Sequence, residues 1–346
     1  MTIVESTRPV TGGVDTHLDV HVAAAVDGNG GVLGVESFAT TTSGFSDLYG
    51  WLVGFGPLAR VGVEGTGAYG AGLARYLRAR EVVVIEVDRP NRQLRRQQGK
   101  SDVIDAVEAA RAALSGRASG VAKTADGDVE AIRALLVARR SARDVRIKYL
   151  NQIRHLGFTA PDELRERLRG VSRDHLARTA ASLRPALAAG SVMHATKLAI
   201  HTLGRRVLDL ESDSRRLYRL IDELVRRSAP SLMEVYGVGT HTAAILLVAA
   251  GDNPHRLRSE AAFAHLCGVA PLPASSGKVT RHRLNPGGNR QANHALWRIV
   301  FTRMSNDERT RKYVARRLAE GRSTREVMRI LKRYVAREIY PHLLRG

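Results

Sequence analysis

Cysteine is nearly absent from this chain. The single thiol, Cys267, excludes an intramolecular disulfide and any cysteine-based zinc cluster. Its apolar setting, AHLCGVA, marks it as a buried structural thiol rather than a nucleophile. Long hydrophobic runs are missing too. Stretches such as Ala243–Ala250 are too short to span a bilayer, and the first residues lack the apolar core of a signal peptide. The chain is therefore expected to be soluble and cytoplasmic, with no membrane partner. No GxxxxGK[ST] loop occurs, which removes a Walker-type nucleotide site.

Acidic residues are also few beside basic ones. Lys and Arg number 54 against 34 Asp and Glu, a formal charge of +20, and arginine greatly outnumbers lysine. A pI near 10.9 points to nucleic acid, ahead of an anionic membrane surface. The forked guanidinium suits phosphate, which favours the nucleic-acid reading. A hydrophobic content of 44% with 25% charged residues fits a globular protein, and 346 residues suffice for two or three domains.

Three regions differ in character: 1–125, 126–228 and 229–346. The first reads as a mixed α/β sheet. VTGGVDT and HVAAAVD are strand-like, GNGG is a turn and VLGVESFAT a third strand. A helix follows in SGFSDLYGWLVGF, with Ser43 or Ser46 as its N-cap. RVGVEG is a short buried strand ending in a glycine-rich turn. A helix over 71–80, the strand VVVIEV and a helix through KSDVIDA complete the region, the last preceded by a basic run from Arg89 to Lys100.

Acids fall at the ends of these elements. Asp15 ends the first strand and Glu64 the fourth. Asp102 and Asp105, three apart on a helix, project from one face. Like charges so close call for a cation, and carboxylates at strand C-terminal ends can converge on one point. Hard oxygen ligands of this kind suit Mg²⁺ or Mn²⁺, which can activate an attacking oxygen on a phosphodiester. His17, Asp19 and Asp88 are alternates. The competing reading is structural: Asp15 caps a turn, and Asp102 is an N-terminal helix charge after Ser101.

Region 126–228 is poor in glycine and rich in Ala, Leu, Arg and Glu at helical spacing. Such long amphipathic helices need a partner, either each other or a second subunit as in a coiled coil. Region 229–346 opens with SLMEVYGVGTHTAAILLVAA. A helix, then Gly237-Val238-Gly239, then a helix from about Thr240 resembles a helix-hairpin-helix whose glycines and free amides meet a phosphate. In GVAPLPASSGKVTRHRLNPGGNRQANHALWRIV, Pro271 and Pro273 place Ser275 and Ser276 on a loop or strand edge. Lys278, Arg281 and Arg283 follow, and Arg290 enters a helix capped by Asn289. A serine beside glycine and several cations can attack a phosphate or merely bind one; both readings stand. Helices are expected over 307–318 and 324–340.

Asp15 in GVDTHLD, Glu64 in VEGTGAYG, and Asp102 with Asp105 in KSDVIDA resemble the DEDD motif of transposases of the insertion-sequence 110 family. GVGTHTAAILL and GVAPLPASSGKVTRHRLNPGGNRQANHALW resemble that family's second signature block. The resemblance implies an RNase H-like (RuvC-like) N-terminal domain, a helical coiled-coil segment and a mainly α C-terminal transposase domain. It implies metal ligation by Asp15, Glu64, Asp102 and Asp105, and a catalytic serine, Ser276, with Ser275 the second choice. It further implies recombination of double-stranded DNA through a covalent serine linkage, guided by a structured non-coding bridge RNA. The working form would be a homodimer pairing into a tetramer. Lys278, Arg281, Arg283 and Arg290 would contact the backbone. Two other readings compete: a metal-dependent nuclease such as a junction resolvase, and a non-catalytic nucleic-acid-binding repressor.

Overall fold

A computed structural model describes residues 9–87, 101–118, 120–185, 190–274 and 282–344. They form two compact units, one of residues 1–127 with 250–259, the other of 128–249 with 260–346.

The first unit is a mixed α/β sheet. β1 (Val10–Thr16), β2 (Val20–Val26) and β3 (Val32–Ala39) run antiparallel in sequence, as the alternating apolar pattern predicts. β4 (Leu58–Glu64) lies parallel to β1, and β5 (Val83–Val87) parallel to β4. A two-residue strand, β6 (Gly120–Val121), closes the order β3-β2-β1-β4-β5-β6. β6 is too short to leave a periodic signal, and the sequence did not predict it.

Helix α1 (Thr42–Gly54) follows β3, and α2 (Ala71–Arg78) joins β4 to β5. α3 (Asp102–Leu114) carries the acid pair. Strand alternation divides these helices between two faces. Val14, Ala23 and Ala25 share a core with Leu48, Leu52, Leu73 and Leu77 of α1 and α2. Val22 and Ala24 pack instead on Ala106 of α3.

The cap of α1 is neither Ser43 nor Ser46. The helix begins at Thr42, so both serines already lie inside it, and Thr41 Oγ1 accepts the Gly44 N–H at 3.1 Å. Thr41→Ala should cost about 1 kcal/mol in urea unfolding.

The second unit is almost wholly helical. α4 (Asp128–Phe158) and α7 (Val192–Ser228) are the long amphipathic helices. They pack against each other within the chain. Their direction is antiparallel: Arg227 pairs with Asp128 at 2.6 Å and Arg146 with Glu211 at 2.7 Å. α5 (Asp162–Leu168) and α6 (Arg173–Ala181) cover one end, burying Leu164 and Leu176 with Leu150, Ile153, Ile200 and Val207. About 1.5–3 kcal/mol accompanies full burial of each such side chain.

The helix expected before Gly237 shrinks to one turn, α8 (Pro230–Met233), ahead of α9 (Thr240–Ala250). α10 (Glu260–Leu266) and a short ladder of β7 (Leu272–Pro273) with β8 (His282–Arg283) follow. α11 (Arg290–Asn306), α12 (Glu308–Ala319) and α13 (Thr324–Leu343) complete the unit. Asn289 caps α11 as expected, accepting from Gln291 N and Ala292 N at 3.0 Å. Cys267 is fully buried and its thiol is pushed up to about 12 by that burial, so it is inert. Among the described residues no helix is long and apolar enough to cross a membrane.

Candidate active site

The site starts from glycine. β1 reads Gly13-Val14-Asp15 and β4 reads Gly62-Val63-Glu64, so each strand offers a glycine and, two residues on, an acid on the same face. The register sets Gly13 beside Gly62 and Val14 beside Val63, which brings Asp15 and Glu64 out side by side at the strand ends. A Cβ on Gly13 would lie 2.1 Å from Ala110 N, and one on Gly62 2.5 Å from Ala109 O. The missing side chains thus let the backbone of α3 press onto the sheet. Its buried ridge, Ala106, Ala109, Ala110 and Ala113, has the small residues such an approach needs.

Asp102 and Asp105 continue that ridge at the N-terminal end of α3. Asp105 is only 3% exposed and Asp15 only 6%. His17, just beyond β1, places Nε2 at 3.2 Å from Asp15 Oδ2 and 3.4 Å from Asp102 Oδ2. One ligand atom from each of Asp15, His17 and Asp102 lies within 4.8 Å of the others. Burial holds the Asp15 carboxyl above its ordinary range; His17 pulls it down, while the charges of Asp105 and Asp102 raise it again. His17 Nε2 is shielded from solvent and faces both carboxylates. Carboxylate oxygens and a ring nitrogen crowded together in this way form a donor set for a divalent cation.

Glu64 lies on the neighbouring strand, outside this tight trio. Its main chain is pinned, because Thr16 Oγ1 donates to Glu64 O at 2.8 Å. The turn after it is anchored by Thr66, buried, whose hydroxyl donates to Glu86 Oε1 of β5 at 2.9 Å. Asp19 is exposed and stands apart, its carbonyl accepting from Thr40 N. Asp88 and the run Arg89–Lys100 lie outside the described residues.

The sequence ranks His17 as an alternate, yet the structure places it at the centre of the trio. The helix-bearing face could have been read from the repeated G-V-acid tripeptides. Thr66 and Glu86 leave no sequence signal of their partnership, since they meet only through the pairing of β4 with β5.

In the second unit, Ser275, Ser276, Lys278 and Arg281 lie outside the described residues. The β7–β8 ladder flanks them, pairing Leu272 with Arg283 and Pro273 with His282. Arg283 and Arg290 are exposed. Gly237 adopts φ +81°, a left-handed turn that suits glycine. The Gly239 N–H donates to Thr242 Oγ1 at 3.0 Å, so this amide already has a partner.

His241, two residues on, is held down to about 4, first by burial and then by Arg139, Arg298, Arg143 and Arg140. It stays neutral in the folded chain but gains a proton near its ordinary value when unfolded. Its contribution is complete above the unfolded value and is lost as pH falls from there toward the folded one. Urea unfolding should show about 1–2 kcal/mol less stability at about pH 5 than at about pH 7, after solvent screening, and His241→Asn should flatten that slope.

Two family models match the chain. Residues 12–156 match a model of the DEDD transposases of IS110 type, described as "Transposase". Residues 229–315 match the "Transposase IS116/IS110/IS902 family". The chain is 34% identical over 110 residues to the insertion element IS110 uncharacterized 43.6 kDa protein of Streptomyces coelicolor, covering 31% of this chain and 27% of that protein. It is 26% identical over 193 residues to the insertion element IS900 uncharacterized 42 kDa protein of Mycobacterium paratuberculosis, covering 51% of this chain and 48% of the relative. The matches thus span from about a quarter to half of these relatives' own length.

Proposed function

The chain belongs to the IS110 family of DEDD transposases, and from that premise we propose that it is a metal-assisted DNA recombinase. Asp15, Glu64, Asp102 and Asp105 form its acidic centre, and Ser276, or failing it Ser275, is its nucleophile. The observation that carries the reading is the convergence of Asp15, His17 and Asp102 at the end of β1, beside the strand that delivers Glu64. Three antiparallel strands followed by two parallel ones support an RNase H-like fold for this unit. His17 joins the set as a nitrogen donor, which makes Mn²⁺ at least as good a fit as Mg²⁺.

When bound, the cation would stabilise negative charge on the phosphate under attack. The protein's own residues do the rest. Asp15 and Asp102 would hold the cation, with Glu64 on the neighbouring strand and the buried Asp105 completing the acidic centre. The serine Oγ forms a bond to phosphorus as the DNA O–P bond breaks, and its proton passes to the departing DNA hydroxyl or to solvent. Attack by a DNA hydroxyl on the phosphoserine reverses the step and restores the serine, so rejoining consumes no nucleotide.

Lys278, Arg281, Arg283 and Arg290 would hold the strand near the cut, while the charge of +20 serves two duplexes and a guiding non-coding RNA. A dimer pairing into a tetramer would let one copy's acids meet another copy's serine. The division into 1–125, 126–228 and 229–346 belongs to this proposal.

Trapping tests it. Denaturing a reaction on element-end DNA with Mn²⁺ should leave DNA covalently attached to protein, and Ser276→Ala should leave none. Cleavage without any such adduct would favour the metal-dependent nuclease. Absence of cleavage altogether, with binding intact, would leave the repressor.

A further inference from the structure

The second unit presents a face of which the proposed chemistry uses only Arg290. Helix α11, RQANHALWRIVFTRMSN, contains no acidic residue. Its buried side is Ala292, Ala295, Leu296, Ile299 and Val300. At about 100° per residue, Arg290, His294, Trp297, Arg298 and Phe301 fall together on the opposite side.

Three of these form a column of rings. The His294 and Trp297 rings are 5.4 Å apart and 25° from parallel, and Trp297 and Phe301 5.3 Å apart and 23° from parallel. Phe301 is 53% exposed. An open stack of rings gains little from burial within its own chain and marks a binding surface.

Cations border the column. Arg140 of α4 donates to Gln291 Oε1 at 2.5 Å, and Arg139 lies 3.4 Å from His241 Nδ1. Arg298, Arg143 and Arg140 all act on the charge of that same histidine, so they gather in one region. Elsewhere in this unit arginines such as Arg133, Arg146, Arg226 and Arg227 are matched by carboxylates. Among the described residues, Arg139, Arg140, Arg290 and Arg298 have no carboxylate partner.

We propose that this face binds an unpaired DNA strand, its bases stacking on the His294–Trp297–Phe301 column and its phosphates lying along Arg140, Arg290 and Arg298. Rings can reach bases only where these are unstacked, which favours a single strand over a duplex. A second copy docking here face to face would oppose like charges, and the acid-free helix offers nothing to offset them. The choice of DNA rests on the transposase reading above; the stacking surface itself does not.

The test uses the full-length chain in EDTA, so that no cleavage intrudes. With Trp51→Phe, Trp297 is the remaining tryptophan of the two. A ~16-nucleotide oligothymidylate should quench its fluorescence. Phe301→Ala should weaken that binding roughly tenfold while changing affinity for a duplex by less than about twofold. Arg298→Gln should reduce the salt slope by about 0.7. Phe301 is exposed, so its truncation leaves the core intact. Absence of quenching, or equal loss on single strand and duplex, would overturn the proposal. So would tighter binding of oligouridylate with the same Phe301 dependence, or a Phe301→Ala effect confined to the oligomeric mass. Because binding is read without metal, its failure would leave the cleavage chemistry standing, and dead cleavage would leave this surface standing.

Discussion

Asp102→Asn should lower metal-dependent DNA cleavage by more than about a thousandfold while leaving nucleic-acid binding within a fewfold of the parent. A thousandfold loss corresponds to about 4 kcal/mol, the scale of stabilisation that a correctly held cation gives a phosphoryl transition state. Asparagine keeps the size of the side chain but removes the charge and one ligand oxygen from the trio with Asp15 and His17. Asp15→Asn should be equally inactive, yet more stable than the parent in metal-free buffer. The reason is that burial and the neighbouring Asp105 and Asp102 already disfavour its charge. Cleavage in Mn²⁺ and urea unfolding in EDTA read the two halves of this result. Substantial activity in either variant would remove the carboxylates from the reaction. A loss of stability on neutralising Asp15 would show that the pocket has some other source of compensation.

Gly13→Ala should fail to yield a stably folded first unit, or should cost more than about 3 kcal/mol where it folds. The added methyl would meet main-chain atoms, Ala110 N at 2.1 Å and Ala106 O at 2.3 Å, rather than the yielding end of a side chain. Relief requires α3 to lift from the sheet. That movement would carry Asp102 away from Asp15, so any folded fraction should also lose cleavage. Gly12→Ala is the control. Its methyl faces α1, where it meets the Leu52 side chain at 2.9 Å, and that side chain can turn aside. Circular dichroism and urea melts of the two variants should therefore differ clearly, with Gly12→Ala the milder. Equal effects would mean that the close approach of α3 is not what positions the acids.

The sequence by itself determined most of the elements of this protein, the two-residue β6 excepted. Alternating apolar residues in VTGGVDT and HVAAAVD, and helical spacing through the long arginine-rich segments, are local patterns that a few neighbouring residues enforce. It also determined where the acids fall, at strand ends and on the first turns of α3, because strand and helix boundaries are written in glycine, serine and proline. It could not fix helix ends that depend on packing, as the reduction of the helix before Gly237 to Pro230–Met233 illustrates. Only the tertiary structure decided which acids meet. Asp15 and Asp102 come together because α3 lies on β1 and β4, a contact between distant parts of the chain that no local period encodes. His17 enters the site for the same reason: once past the strand end, its direction is set by what packs around it. Within the second unit, the partner of α4 proved to be α7 of the same chain. Amphipathic spacing leaves open which other helix will cover an apolar stripe, and complementary side chains in three dimensions make that choice.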